Sequence, residues 1–407
     1  MHFTKKPTTI WGGVIMIEFE SEFAEDANGF GDIDFTKAKA FFSQVCRLFF
    51  KSKSKPSLII VCHAVPDTLP FLAAISNEFI IHGIIIKPSS RHVDTHREIN
   101  AKYPVLAFTK KDLLKTCTRS LELTTFEPKG DYIIIDIGGY FSDSYINKII
   151  SHDQSRLIGI VEDTENGVQK YEQLQPLSYP VVHVARSSLK EPEDYLVGQA
   201  IAFAIETVLR QIGVLTINKN VGILGYGKIG GSIAATWKPR SKSVSIYDTN
   251  AVRLIKAASH GYPAPSRHYV LSNSDILICA TGQKSLTVDD IKHLKTGCYL
   301  ASVTSADDEF DLDGISSKYS RTSVSEHITR LAEHDGQHFI HLINNGNPAN
   351  FIYAANLGAY IHLVQAEMLA AACLLAGGAY HGQRGLFEIN NNHRAEIAQL
   401  WLQTCYL

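Results

Sequence analysis

Charge of one sign is missing from this sequence. Its 407 residues carry 39 Lys and Arg against 41 Asp and Glu, a formal net charge of −2, with no long block of either sign. Nothing here points to nucleic acid or to a charged membrane surface as a partner. Cysteine is sparse and unpaired in pattern: seven residues (46, 62, 117, 279, 298, 373 and 405), odd in number, and no CxxC. That pattern reads as a reduced, cytoplasmic chain without a disulfide framework, and no metal site is expected. Cys62 and Cys279 lie in apolar strand-like runs and read as small buried hydrophobes rather than nucleophiles. No stretch has 18 uncharged apolar residues, so no membrane span is expected. The longest candidate, around Met368 to Ala379, reads as a buried helix. Met1 to Gly13 mixes Lys5, Lys6 and Pro7 with few apolar residues and does not read as a signal peptide. Internal repeats and low-complexity segments are also lacking.

What remains is a chain that is 45% hydrophobic and 20% charged, long enough for two domains with substantial cores. The stretch around which it is organised is Asn220-Val221-Gly222-Ile223-Leu224-Gly225-Tyr226-Gly227-Lys228-Ile229-Gly230. An apolar run ends in Gly-x-Gly-x-x-Gly and a helical pattern follows. Gly225 supplies a tight turn, Gly227 lets backbone approach a pyrophosphate, and Gly230 lets helix and strand pack closely. A second strand-like run, Val244 to Tyr247, ends at Asp248, 23 residues after Gly225. A carboxylate there accepts from ribose hydroxyls and repels a 2′-phosphate, so the cofactor is expected to be NAD rather than NADP.

Before this unit, continuous apolar runs alternate with helical patterns. Ser57–Cys62, Ile81–Ile86, Asp131–Asp136, Leu157–Val161 and Pro180–Val184 read as strands, and Thr68–Phe79 as a helix. Runs without alternation belong to a parallel sheet covered on both faces. The fold class is therefore α/β, with two doubly wound, Rossmann-like domains and a cleft between them. The first spans 1–203 and is completed by 353–407; the second, the dinucleotide domain, spans 204–352. Its later strands are Ile276–Ala280, Cys298–Val303 and His338–Ile343. Long helices at Tyr195–Ile212 and Ala354–Gly378 connect the two, and double linkers make a hinge.

Taken together, Gly225-Tyr226-Gly227-Lys228-Ile229-Gly230, Asp248, Thr281-Gly282 and the segment Ala349-Asn350-Phe351 resemble the S-adenosylhomocysteine hydrolase family. The resemblance runs from about His63 to about Met368. It implies that NAD is retained through turnover: it takes hydride from a ribose hydroxyl, the ketone permits β-elimination, water adds, and the hydride returns. It further implies a catalytic set of His63, Asp163, Lys190 and Asp194. The cofactor set is Thr164, Gly225, Gly227, Lys228, Ile229, Gly230, Asp248, Thr281 and Asn350. Lys190, with its pKa depressed in a dry cleft or beside cations, would be the base that deprotonates the hydroxyl. Asp194 would orient it or grip the vicinal hydroxyl, and His63 would act at the neighbouring carbon. A small-molecule substrate, nucleoside- or sugar-like, and a homodimer or homotetramer are expected.

The departures from that pattern cluster on the substrate side. Val65 replaces a threonine that reads adenine, and Asp67 shortens a glutamate. Ile137 replaces the second aspartate of an Asp-Asp-Gly-Gly-Asp run. Tyr195 replaces an asparagine, Ser305 and Leu357 replace histidines, and the lysine–tyrosine tail is missing. The oxidising half looks intact and the adenine-reading and eliminating half looks altered. An S-adenosylhomocysteine hydrolase-type enzyme on a changed substrate is the first reading. A dehydrogenase or epimerase without elimination, a non-catalytic NAD-binding regulator, and a hydrolase that survives by unseen replacements stand beside it.

Overall fold

The apolar runs become central strands because both of their faces find helices to bury against. Leu58, Ile59, Ile60 and Val61 are essentially inaccessible to solvent, as are Ile133–Ile135 and Ile160–Val161. The computed structural model describes residues 34–106, 128, 130–142, 155–304, 309–333, 337–353 and 357–406, all within the unit Asp32–Leu407. Met1–Gly13, Cys117 and Ser305, singled out above, lie outside the described residues.

Two sheets result, and the fold is α/β. The first contains β1 (Ser57–Ala64), β2 (Ile80–Arg91), β3 (Gly130–Asp136), β4 (Ser155–Glu162), β5 (Pro180–His183) and the late strand β13 (Gly385–Phe387), in the order β13-β5-β4-β3-β1-β2. Every pairing in it is parallel. The second contains β6 (Asn220–Leu224), β7 (Ser243–Tyr247), β8 (Ile276–Cys279), β9 (Tyr299–Ser302), β10 (Ser320–Ser325), β11 (Ile328–Ala332) and β12 (Phe339–Ile343), in the order β10-β11-β12-β9-β8-β6-β7. It is parallel from β7 to β12 and ends in an antiparallel β10–β11 edge.

Both sheets have a switch in winding direction. The chain runs from β1 outward to β2 and then returns to β3 on the other side of β1; β6, β7 and β8 repeat the pattern. Ligands of open α/β sheets sit in the crevice beyond the strand C-termini at such switch points. In this chain those crevices lie at His63 with Ile137, and at Gly225 with Thr281.

Three elements differ from the sequence expectation. The linking helix runs Glu191–Gln211 and starts four residues before Tyr195, because Pro192 is accepted in the first turn. Lys190 becomes its cap and Asp194 falls in its first turn. Ala354, the expected start of the second linking helix, lies outside the described residues. The described parts of this linker are 3-10 turns at Ala349–Tyr353 and Gly358–Tyr360, and the helix itself is Ile361–Ala376. Gly358–Ala376 is, by length and composition alone, long and apolar enough to cross a membrane, with mean hydropathy 1.5 over 19 residues. Its residues are mostly buried against β3 and β4, and Glu367 in its middle accepts from Arg394 Nε at 2.8 Å. The β10–β11 hairpin was not expected, since its first strand is almost wholly exposed and has no apolar alternation.

Candidate active site

Beyond β6 the three glycines meet three different surroundings. Gly225 has φ +97°, and a Cβ there would meet Ala280 O at 2.4 Å. A Cβ on Gly230 would meet Gly225 O at 2.1 Å, so the helix Lys228–Trp237 lies hard against the turn. At Gly227 a Cβ would meet nothing within 4 Å. Gly227 also caps that helix without a side-chain bond, which leaves first-turn N–H groups to face a phosphate.

Asp248 stands at the end of β7, buried. Its Oδ2 accepts from Tyr226 N at 2.7 Å and its Oδ1 from Asn250 N at 2.8 Å, which fixes the carboxylate beside the glycine turn. Arg253 Nη1 lies 3.8 Å away. Asn350 is buried in the 3-10 turn that follows β12, and its Oδ1 has no hydrogen-bond partner. Such an orphaned acceptor costs free energy unless an N–H donor arrives, and a nicotinamide carboxamide is one. Thr281 and Gly282 are tied down by Glu309, whose carboxylate accepts from both backbone N–H groups at 2.8 Å and from Thr281 Oγ1 at 2.8 Å. Glu309, fully buried, escaped the sequence reading; its only signal there was a carboxylate close behind a strand. Thr164 caps the helix Glu165–Gln173 and donates its hydroxyl to Glu162 at 2.7 Å. The open space at Gly227, the fixed carboxylate and the orphaned amide together fit a dinucleotide.

Lys190 is buried where the linking helix begins. Its Nζ lies 2.9 Å from Asp163 Oδ1 and 2.6 Å from Glu193 Oε2. Asp194 turns instead to the glycine loop, with Oδ2 3.4 Å from Lys228 Nζ. Burial alone would pull the Lys190 ammonium down. Asp163, Glu193 and Asp194 outweigh it and hold the group well above the ordinary lysine range. This corrects the expectation of a depressed lysine: no cation adjoins Lys190 closely enough to win, and the carboxylates do. Glu193, also missed, is raised by burial to about 7, with Lys190 opposing the shift.

His63 ends β1. Its Nδ1 is hydrogen-bonded to Ser90 Oγ, and its ring stacks on Phe351 at 5.0 Å and 27°. Burial, then Lys87 and Lys190, drive its pKa well below the ordinary value, so the imidazole is neutral. The stack brings the end of β1 to the residue next to Asn350. The structure thus gathers Asp163, Lys190, Asp194 and Lys228 at one junction and His63 with the Asn350 turn at another.

Residues 200–355 match the family described as S-adenosyl-L-homocysteine hydrolase, NAD binding domain. The adenosylhomocysteinase of Sulfolobus acidocaldarius is 26% identical over 238 residues, 57% of this chain and 55% of that one. That of Aeropyrum pernix is 27% identical over 302 residues, 69% and 68% of the two chains. That of Triticum aestivum is 26% identical over 166 residues, 40% and 34%. Over residues 200–355 the chain is similar to the NAD-binding domain of the S-adenosyl-L-homocysteine hydrolases. NAD is its cofactor. The match with the Sulfolobus hydrolase spans about half of that protein's length. A solved phosphoglycerate oxidoreductase from Vibrio cholerae overlaps with a TM-score of only 0.38 at 15% identity, over 62% of this chain and 76% of that one.

Against the hydrolase pattern, the altered positions have their own physics. Asp67 is buried at the start of the helix Thr68–Glu78 without capping it, its Oδ1 unpartnered, and burial raises it to about 7. Asp136 accepts from Tyr140 N, Phe141 N and Tyr171 Oη, so it is spent on structure. Glu162 is spent likewise, accepting from Gly138 N, Gly139 N and Thr164. Ile137 and Leu357 are buried and apolar, and Tyr195 is half exposed.

Proposed function

We propose that this chain is an NAD-dependent enzyme that oxidises a secondary hydroxyl of a nucleoside- or sugar-like substrate, with retained cofactor, and then eliminates and re-adds at the neighbouring carbon. The observation that carries this reading is the contact between Asp194 and Lys228. It sets the Lys190 cluster against the glycine loop, where the two reacting partners would meet.

When bound, NAD supplies the acceptor for the hydride of the carbinol carbon. The chain supplies the rest. Asp163 and Asp194 hold the hydroxyls. Lys190, charged at rest between Asp163 and Glu193, must first release a proton to solvent, since a carboxylate with a pKa near 7 is too weak a base to take it, and then accepts the hydroxyl proton. The O–H bond pair becomes the second bond of the carbonyl as the hydride leaves. Neutral His63, tethered through Nδ1 to Ser90, keeps Nε2 for the proton of the adjacent C–H. The two sheets act as domains, 1–203 with 353–407 and 204–352, hinged at Glu191–Gln211 and ahead of Ile361–Ala376.

A second reading, a dehydrogenase or epimerase without elimination, draws on Ile137, an apolar side chain where elimination calls for an acid. A panel of nucleosides and sugars separates the two. Release of a leaving group without net NADH supports the first, and stoichiometric NADH supports the second. Lys190→Ala should keep NAD bound and lose all cofactor reduction; normal reduction by that variant removes Lys190 from the chemistry.

A further inference from the structure

The end of β1 and the turn after β12 belong to different sheets, yet two stacked rings join them. We propose that Phe351 is a positioning residue for His63: it carries the seating of the nicotinamide carboxamide on Asn350 across to the imidazole, so that His63 is aligned only when the cofactor is in place. This rests on reading the crevice as the site of NAD and substrate.

Phe351 lies in the 3-10 turn Ala349–Tyr353. Its neighbours in that turn are fastened to the second sheet and to the linking helix. Pro348, just before the turn, pairs with Ser302 at the end of β9. Asn344 Nδ2 donates to Pro348 O at 3.0 Å. Ala349 is fully buried in the core that holds Ile223 of β6 and Ile278 of β8, and Ile352 packs against the same core. Tyr353 Oη accepts at 3.3 Å from Nε2 of Gln211, the last residue of the linking helix. The ring of Phe351 instead stacks on His63, with centroids 5.0 Å apart and planes 27° apart.

Two contacts set the His63 ring. Ser90, buried near the end of β2, is hydrogen-bonded to Nδ1, and Phe351 covers one face. A single hydrogen bond to Nδ1 leaves the ring free to pivot about it. A flat partner on one face stops that pivot, because offset stacking is directional.

The same turn meets the cofactor. Asn350, adjacent to Phe351, is buried with Oδ1 unpaired. An unpaired buried acceptor is costly, so without a donor the turn is driven to shift until the amide finds one. A carboxamide N–H on Oδ1 removes that drive and seats the turn. Phe351 N donates to Pro348 O at 3.4 Å, so the residue rides with the turn rather than apart from it. The stack therefore belongs to the seated turn, and the base for the adjacent C–H is aligned when the hydride acceptor is present.

The test uses the full chain with isotope-labelled histidine, NAD as the one added ligand, and NMR of the imidazole groups. His63→Gln identifies the His63 signal by its loss. A phenyl ring moves a stacked imidazole C–H upfield, so the His63 Cε1–H signal should move upfield as NAD saturates the chain. Phe351→Leu should abolish that movement and leave the melting temperature of the cofactor-free chain unchanged. Coupling is reciprocal, so the same variant should weaken NAD by about two- to tenfold. Phe351→Tyr, which keeps the ring, should retain both the movement and the affinity. If Phe351→Leu does not fold, Phe351→Met takes its place. A His63 signal that ignores bound NAD, or one that still moves in the ring-less variant, overturns the proposal. Failure to bind NAD at all sinks the functional reading beneath it, and this proposal with it.

Discussion

Lys190 Nζ and Asp163 Oδ1 lie 2.9 Å apart although 27 residues separate them in sequence. The end of β4 supplies the acid and the start of the linking helix supplies the base. With Glu193 at 2.6 Å on the other side, the ammonium is shared between two carboxylates in a nearly dry pocket.

Removing one partner from such a cluster leaves buried charge uncompensated, which costs about 3–5 kcal/mol. Lys190→Met should destabilise the protein by that order at neutral pH. Adding Glu193→Gln to Lys190→Met should recover part of the loss, because one fewer carboxylate is stranded. Chemical denaturation of the single and double variants measures it. A double variant no more stable than the single would deny the coupling.

Cofactor reduction should depend on pH through Lys190. Its ammonium, held well above the ordinary lysine range by Asp163, Glu193 and Asp194, must lose a proton before it can act as base, so the rate keeps rising with pH above neutrality. Glu193→Gln removes one of the carboxylates that hold the ammonium up and should move the rising limb to lower pH, while leaving NAD affinity within about twofold. A pH-rate profile with the active panel substrate checks both.

Asp67 gives a pH dependence of stability. Its folded pKa is raised from 3.8 to about 7, so between those values the folded chain holds a proton that the unfolded chain has released. Stability therefore falls as pH rises through that window. Asp67→Asn should match the wild type near pH 4 and exceed it progressively toward pH 7, by up to ~4 kcal/mol at about 1.4 kcal/mol per unit. Urea unfolding at several pH values reads this directly; parallel curves would contradict it.

The glycines should divide by function. Gly225→Ala and Gly230→Ala force a Cβ against backbone and should cost about 1–3 kcal/mol of stability. Gly227→Val meets open space, so it should leave the melting temperature of the cofactor-free chain unchanged and lower NAD affinity tenfold or more. Equal destabilisation by all three would mean that Gly227 serves packing instead.

How much of this was legible beforehand follows from distance along the chain. The glycine turn and Asp248 are local features of fixed spacing, and each directly follows a strand, β6 and β7. The apolar runs marked every central strand, because burial on two faces needs no alternation. Lys190 illustrates the limit. Its residue type was readable, but the carboxylates that reverse its pKa come partly from β4, and only the tertiary fold brings them together. Glu193 lay in plain view within Lys190-Glu191-Pro192-Glu193-Asp194, yet the helix start that aims it at Lys190 depends on Pro192. Glu309 reaches Thr281 across 28 residues, and Lys87 reaches Ile137 across 50. The β10–β11 hairpin pairs through backbone alone at an exposed edge, where side chains leave no pattern.

The most direct test of the account is a structure of the chain with NAD bound. The expected result has the adenine-side ribose on Asp248, the pyrophosphate over Gly227 and the carboxamide on Asn350, with Lys190 facing the gap beside the nicotinamide. Absence of NAD at millimolar cofactor, or a nicotinamide ring turned away from Lys190 into solvent, would contradict it.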